Sequence, residues 1–165
     1  MQILGIDPGT ATTGYGLISK RGGQLRLVDY GVIKTAPKQP DYIRLQLLYR
    51  QLVKLLERYK PSDIAVEQLF FNTNVTTAMS VGQARGVILL AAADAGVNIG
   101  EYTPLQIKQA ITGYGRASKT QIQQMVKVML GMDKVPKPDD AADAIAVAIC
   151  YANSALLAAK LRQLR

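Results

Sequence analysis

The best candidates for chemistry in this sequence are four acidic residues, Asp7, Glu67, Asp140 and Asp143. Carboxylate oxygens are hard ligands, and a carboxylate site that lacks imidazole suits Mg²⁺ or Mn²⁺. Beside a positively charged surface, such a site predicts phosphodiester hydrolysis with two ions about 3.5–4 Å apart, one activating water and the other stabilising the leaving oxygen. The prediction requires the fold to bring together acids from distant parts of the chain.

The composition removes other common routes to hydrolysis. The chain has no histidine and a single cysteine, Cys150. Imidazole general bases, Ser-His-Asp triads and Cys-His pairs are therefore excluded, and so is a zinc site of the usual Cys and His kind. We interpret Cys150 as a buried apolar residue without a catalytic role.

Asp7 and Glu67 each end a predicted strand. Period-two alternation places Asp7 on the same face as Gly5, and Glu67 on the same face as Ala65. If the two strands pair in parallel, both carboxylates emerge at their carboxyl ends, the usual place for a site in an open α/β sheet. Taken singly, Asp7 also fits a turn residue before the next Pro-Gly pair, and Glu67 an exposed acid at a strand end.

Asp143 lies in an alanine-rich segment with no Lys or Arg within four residues on either side. Because desolvating an unpaired carboxylate is costly or forces protonation, a metal ion or a distant Arg is implied as its partner. Asp139 and Asp140 lie four and three positions earlier on the same helical face, so spacing alone does not choose between them. One of them is expected to be the helix N-cap, and we assign that role to Asp139.

Apolar spacing and turn signals predict three strands, then alternating helices and strands, then three helices. The predicted strands are residues 2–7, 14–19, 24–34, 63–67 and 97–102. The predicted helices are residues 42–59 and 74–95, two capped by Thr103 and Ser118 that end near Thr112 and Leu130, and one from Asp139 to about Leu161. This order is typical of one α/β domain, residues 1–165, with a mixed sheet and helices on both faces.

The charge balance favours a polyanionic partner such as nucleic acid. Lys and Arg number 20 against 12 Asp and Glu, a net charge of +8. Residues 103–138 hold six basic residues and one acid, and residues 155–165 form a basic tail. A cytoplasmic location is expected, because one cysteine forms no intrachain disulfide, the start lacks a signal-peptide pattern, and no apolar stretch approaches the ~20 residues of a membrane span.

Five motifs occur in order along the chain: Gly5-Ile6-Asp7-Pro8-Gly9-Thr10, Thr13-Gly14-Tyr15-Gly16, Glu67-Gln68-Leu69-Phe70, Gly82-Gln83-Ala84-Arg85-Gly86 and Asp140-Ala141-Ala142-Asp143-Ala144. Together they resemble the RuvC family of bacterial Holliday-junction resolvases, over residues 2–153. The resemblance implies a ribonuclease H-like fold with five strands and a homodimer that nicks opposing strands of a four-way DNA junction during recombination and repair. It also implies that Asp7, Glu67, Asp140 and Asp143 bind Mg²⁺, which favours Asp140 over Asp139.

The resemblance adds residues that would contact DNA. Phe70 matches an aromatic residue that contacts a base near the junction centre, and such a ring can stack on an unpaired base for about 1–3 kcal/mol. Lys108 and Lys119 match lysines of the DNA-binding and catalytic face, and Arg116 lies in the glycine-containing loop before Lys119. The plainer alternatives are a core position for Phe70 and solvated helix charges for the lysines.

Gln83, Arg85 and Gly86 lie on the long helix that the family uses for its dimer contact, where small residues permit close helix approach. Packing of this helix on the protein's own sheet is the alternative, and we expect different faces to do both. The resemblance also implies a branch-migration helicase complex as a partner.

Three other functions fit parts of the pattern. Gly-Ile-Asp-x-Gly-Thr at a first strand also opens the phosphate-binding hairpin of actin-like and sugar-kinase-like ATPases, although that fold normally has two such domains and 165 residues supply one. A catalytically inactive junction-binding protein would not need all four acids, which are present. A ribonuclease that cuts RNA in hybrids would prefer an RNA-DNA duplex to a junction.

Overall fold

A mixed five-stranded sheet forms the centre of the protein. The computed structural model describes residues 1–68 and 75–163, with side chains described outside residues 75–77 and 155–163. The strands are β1 (Gln2–Asp7), β2 (Thr12–Arg21), β3 (Gln24–Lys34), β4 (Asp63–Glu67) and β5 (Asn98–Tyr102), in the order β3-β2-β1-β4-β5. The first three are antiparallel neighbours, whereas β4 pairs in parallel with both β1 and β5. The predicted mixed sheet is confirmed.

Five helices cover the two faces of this sheet. They are α1 (Asp41–Tyr59), α2 (Val75–Asp94), α3 (Pro104–Thr112), α4 (Lys119–Met129) and α5 (Asp139–Gln163). Thr103 and Ser118 cap α3 and α4 through reciprocal capping boxes, as predicted. Within the described part of the chain, no helix combines the length and the apolar character needed to cross a membrane.

The alternation of side chains along the strands divides the core into two layers. Leu4 and Ile6 of β1 are fully buried against α1 and α2. Ile3, on the opposite face, is buried in the layer that α3, α4 and α5 form. Asp7 and Gly5 share the face of Ile3, so the end of β1 directs Asp7 towards the helices that carry the other predicted site residues.

Glycines allow α5 to lie directly on the sheet. A Cβ on Gly5 would overlap the main-chain carbonyl of Ala144, and a Cβ on Gly14 would overlap that of Asp140. The register places Gly14 opposite Asp7 and Gly16 opposite Gly5, so these glycines form one small patch. The first turns of α5 therefore approach β1 and β2 at backbone distance, which holds its acids close to Asp7.

Several predicted details are corrected by the structure. Strand β2 begins at Thr12 and not Gly14, because the hairpin ladder continues to the Thr12–Lys34 pair. The assignment of the helix N-cap to Asp139 is wrong: Asp139 is the first residue of α5, and the carbonyl of Pro138 accepts the N–H groups of Ala141 and Ala142. Helix α5 continues to Gln163, into the segment expected to be a basic tail.

Candidate active site

Asp7 and Glu67 meet at the carboxyl ends of two neighbouring strands. Parallel pairing of β1 and β4 aligns Ile6 with Val66, which places the next residue of each strand, Asp7 and Glu67, at the same edge of the sheet. The two carboxyl groups lie close enough that each affects the pKa of the other. Burial, followed by repulsion from Glu67, raises the pKa of Asp7 to about 8. Burial, followed by repulsion from Asp143, raises the pKa of Glu67 to about 7.

Helix α5 brings Asp140 and Asp143 to the same place. Both carboxylates repel Asp7, and each contributes to raising its pKa. Burial raises the pKa of Asp143, and Asp139 and then Asp140 add to that rise. The fold therefore gathers the four predicted acids into one electrostatically coupled cluster, which we call the acid cluster.

The partner that Asp143 requires is a lysine. Lys119, the first residue of α4, places Nζ 2.9 Å from a carboxylate oxygen of Asp143. This contact lowers the pKa of Asp143 and raises that of Lys119, although burial of Asp143 has the larger effect on its carboxyl group. The sequence implied a metal ion or a distant Arg for Asp143, and the described structure supplies a distant Lys.

The neighbouring acids Asp139 and Asp140 have different surroundings. Asp139 accepts a hydrogen bond of 2.7 Å from Lys137, and its other oxygen lies 3.6 Å from Lys119. The bond from Lys137 lowers the pKa of Asp139. Asp140, and not Asp139, is among the residues that raise the pKa of Asp7. Asp139 therefore lies in a surface ion pair and acts on Asp143, whereas Asp140 acts on both Asp7 and Asp143.

A cavity of about 210 Å³, which we call the lysine cavity, opens beside this cluster. Its polar lining comes from Glu67, Asp143, Lys108 and Lys119, and its apolar lining includes Ile107 and Ile122. Both lysines lower the pKa of Glu67. Arg116 is exposed in the loop between α3 and α4, outside this lining. The two lysines are positioned to meet a negatively charged substrate, and Arg116 lies at the surface nearby in sequence.

The acid cluster has the donor chemistry of a magnesium site. Among the described residues, no group of three or more acidic or Cys side chains is arranged so that it could hold a metal ion by itself. Mg²⁺ is usually held by one or two carboxylates together with waters and substrate phosphates, so a closed protein cage is not required. The raised pKa values of Asp7 and Glu67 come from burying like charges together, and a divalent cation would relieve that repulsion. The chemistry of these carboxylates therefore fits such an ion.

The residues predicted for the dimer contact lie on α2, which runs through them without interruption. Gln83 and Gly86 are exposed, and a Cβ on Gly86 would meet no atom within 4 Å. Arg85 forms an ion pair with Glu101 of the same chain. Phe70, predicted to contact a base, lies outside the described residues. Cys150 is buried as predicted, and burial raises the pKa of its thiol to about 11.

Sequence reasoning did not identify one further arginine near the acids. Arg44 of α1 lines a cavity together with Asp140, although its side chain is only 12% exposed. In the sequence it is one of several basic residues in an amphipathic helix, so nothing distinguishes it from a solvated charge. The glycine patch of β1 and β2, by contrast, could have been predicted from the sequence, because glycine recurs at alternate positions on the face of Asp7.

Comparison with known proteins finds the same family by sequence and by structure. The family model described as crossover junction endodeoxyribonuclease RuvC matches residues 3–151. The crossover junction endodeoxyribonuclease RuvC of Desulfitobacterium hafniense is 58% identical over 154 residues, 93% of each chain. That of Heliobacterium modesticaldum is 57% identical over 93% of this chain and 95% of its own. The structure of Thermus thermophilus RuvC in complex with a Holliday junction substrate has a TM-score of 0.91 at 37% identity, covering 96% of each chain.

These similarities extend over nearly the whole chain and include both the sheet and α5. They do not support the ATPase or the inactive junction-binding alternatives. They also agree with the ribonuclease H-like arrangement that the resemblance implied. The chain belongs to the RuvC family of crossover junction endodeoxyribonucleases.

Proposed function

We propose that this protein resolves four-way DNA junctions by Mg²⁺-dependent phosphodiester hydrolysis at the acid cluster. One observation carries the proposal: Asp7 and Glu67, at the ends of two parallel strands, lie with Asp140 and Asp143 beside two lysines. Carboxylates crowded in this way are poised for a divalent cation, and lysines beside them suit a phosphate. Mn²⁺ is expected to substitute for Mg²⁺ because it accepts the same oxygen ligands.

Bound Mg²⁺, one or two ions per subunit, would polarise a water nucleophile and stabilise negative charge on the phosphate. Asp7 and Glu67 would hold the cation from the sheet, and Asp140 and Asp143 from the helix. In the reaction a bond forms between the water oxygen and phosphorus, the ester bond to the leaving oxygen breaks, and that oxygen takes up a proton. Among the described residues of the acid cluster, the carboxylates can accept the proton of the attacking water.

Lys119 has two parts in this proposal. Its Nζ lies 2.9 Å from Asp143 and favours the ionised carboxylate, which opposes part of the effect of burial on the pKa of Asp143. When a cation takes over Asp143, Lys119 becomes available to donate a hydrogen bond to the phosphate at the cut. Lys108 on α3 would contact the same strand from the other wall of the lysine cavity.

We extend the DNA contact to Arg116 and Phe70. Arg116 is exposed at the loop before α4, where a phosphate of a junction arm can approach. Phe70 follows β4 closely in sequence, and stacking on an unpaired base is proposed for it from the family resemblance. The net charge of +8 supports binding to DNA, and this binding should weaken steeply as salt rises.

A homodimer is part of the proposal, because two cuts require two active sites. One face of α2 exposes Met79 and Leu90, at 65% and 55%, with Gln83 and Gly86 between them at helical spacing. Gly86 leaves room for a second helix to approach. Leu90→Arg should give a monomer in light scattering, whereas the exposed substitution Val128→Arg on α4 should leave the dimer intact.

We also propose a cytoplasmic location and a branch-migration helicase complex as a partner. The single buried cysteine suits a reducing compartment, and a junction resolvase acts where chromosomal DNA recombines. The helicase partner follows from the family resemblance, and the location from the single cysteine.

The decisive experiment offers the purified protein a synthetic four-way junction, a linear duplex of the same sequence and an RNA-DNA hybrid, each with and without Mg²⁺. Symmetric nicks in the junction alone, dependent on Mg²⁺, are expected. Equal cleavage of the linear duplex, preference for the hybrid, or cleavage in the presence of a chelator would overturn the proposal.

A further inference from the structure

A second cavity, of about 540 Å³, adjoins the acid cluster and is distinct from the lysine cavity. Asp140 lines this second cavity, whereas Glu67 and Asp143 line the first. Its other polar lining, among the described residues, comes from the loop after β1, the start of α1 and α2: Thr10, Thr12, Arg44 and Ser80. We call it the arginine cavity. The acid cluster thus lies between two cavities, each with cationic side chains.

The guanidinium group of Arg44 is held in place by a chain of hydroxyl groups. Its Nε donates to Oγ1 of Thr35 at 2.9 Å, and that hydroxyl in turn donates to the carbonyl of Thr10 at 2.6 Å. The hydroxyl of Thr10 is 2.6 Å from that of Ser80 on α2. Thr10 and Thr35 are both buried. A binding group fixed in advance loses less entropy when a ligand arrives.

The remaining donors of Arg44 are suited to a phosphate. With Nε bonded to Thr35, the other four N–H groups lie on the two Nη atoms, a planar fork that matches a phosphate. One Nη lies 3.5 Å from Asp41, whose side chain is 69% exposed, so this contact is weakened by solvent. Among the described lining residues, Arg44 is the one cation and Asp140 the one acid, so an anion is favoured at Arg44.

A DNA strand that crosses the acid cluster carries a phosphate at every nucleotide, so phosphates on either side of the cut must lie somewhere close to the cluster. We propose that Arg44 binds a non-scissile backbone phosphate of the cleaved strand in the arginine cavity and acts as a positioning residue. The inference rests on the proposed nuclease function. It assigns the strand a path from the lysine cavity, over the acids, to Arg44.

The test uses junctions in which each phosphate near the cut is replaced, one at a time, by an uncharged methylphosphonate. At one non-scissile position, the replacement should slow cleavage by the parent protein roughly tenfold, and Arg44→Gln should cause a similar loss. The two changes together should add little more, because they remove the same contact. Arg50→Gln removes a charge from an exposed position of the same helix and should leave the methylphosphonate penalty unchanged.

Salt dependence gives a second measurement. The slope of log K against log salt for junction binding should become shallower by about 0.9 in Arg44→Gln, and stay near the parent value in Arg44→Lys, which retains the charge. If Arg44→Gln does not fold, Arg44→Lys serves the methylphosphonate comparison, with a reduced penalty at the same position expected because the fork is lost.

If the rate losses caused by Arg44→Gln and by the methylphosphonate simply add at every position, and the parent protein is active, the inference is overturned. Arg44 would then only stabilise the loop after β1. A parent protein that fails to cut the unmodified junction would overturn the proposed function itself, and this inference with it.

Discussion

The main-chain carbonyl of Asp140 occupies the space that a Cβ on Gly14 would need. Gly14 also pairs with Asp7 across the β1–β2 ladder. The missing side chain therefore sets how close the helical acids come to the first strand acid, and it connects a backbone feature of the sheet to the electrostatics of the acid cluster.

Gly14→Ala should impair both stability and catalysis. The added methyl group meets rigid backbone of α5, so the helix must shift, and overpacking of this kind costs roughly 1–3 kcal/mol. Thermal unfolding and junction cleavage would both be measured. In the control, Gly31→Ala, the new Cβ meets only the ring of Tyr15, and we expect a smaller loss of stability and near-normal cleavage. Equal behaviour of the two variants would contradict the close-packing argument.

Much of the fold follows from local pattern. Alternation in β1 and helical spacing in α1 predicted these elements to within about a residue, and turn chemistry predicted the caps at Thr103 and Ser118. The start of β2 and the true cap of α5 were missed. The start of β2 depends on pairing with Lys34 of another strand, which no local pattern encodes. At α5 the carbonyl of Pro138, one residue before Asp139, accepts the first helical N–H groups.

Asp7→Asn should abolish Mg²⁺-dependent cleavage and leave junction binding largely intact. The substitution preserves shape but removes the charge that would hold the cation, and a loss of roughly a thousandfold or more is expected when several kcal/mol of transition-state stabilisation disappear. Single-turnover cleavage and a binding titration in Ca²⁺ would be compared. Persistent cleavage would remove Asp7 from the metal site.

The adjacent acids offer a matched pair of variants. Asp140→Asn should reduce cleavage strongly, because Asp140 belongs to the acid cluster, whereas Asp139→Asn should have a small effect, because Asp139 is paired with Lys137 at the surface. Both substitutions remove one charge from the same helical turn, so any effect of net charge cancels in the comparison. A stronger loss in Asp139→Asn would reverse the assignment.

The site was less predictable than the fold. Strand ends and helical spacing identified which acids converge, but not how the buried Asp143 is compensated, since Lys119 lies 24 positions away and its approach depends on the packing of α4 on α5. The position of Arg44 near the acids could not be predicted from the sequence for a similar reason. Its orientation is set by Thr35 and Thr10, in two other segments of the chain.

In a chelator, the protein should lose stability as pH rises. The folded state holds protons on Asp7 up to a pKa of about 8 and on Glu67 up to about 7, whereas the unfolded values are 3.8 and 4.5. The folded state therefore binds more protons than the unfolded state between about pH 4 and 8. The stabilisation that these protons provide is present at low pH and is lost as the pH rises through that interval. The melting temperature of Asp7→Asn should depend less on pH, and at pH 8 it should be higher than that of the parent protein. If the melting temperature of the parent fell no more steeply with pH than that of Asp7→Asn, proton binding by these carboxyl groups would not be the cause.

The stabilisation of the protein by Mg²⁺ should increase with pH. Metal binding requires ionised carboxylates, so the ion should raise the melting temperature of the parent more at pH 8 than at pH 5. Asp7→Asn should lose most of this gain, and Asp139→Asn should keep it. Equal stabilisation of all three proteins would indicate binding elsewhere.

Lys119→Gln should slow cleavage and shift its pH profile towards higher pH. Lys119 lowers the pKa values of Asp7, Glu67 and Asp143, so its removal raises them, and a more alkaline solution is then needed to ionise the ligands of the metal. Lys119→Arg retains the charge and should restore most of the profile. The matched control is Lys137→Gln, which removes a lysine paired with Asp139 at the surface and should leave the profile in place. A rate loss in Lys119→Gln without any shift in pH would mean that the lysine acts on the DNA alone and not through the acids.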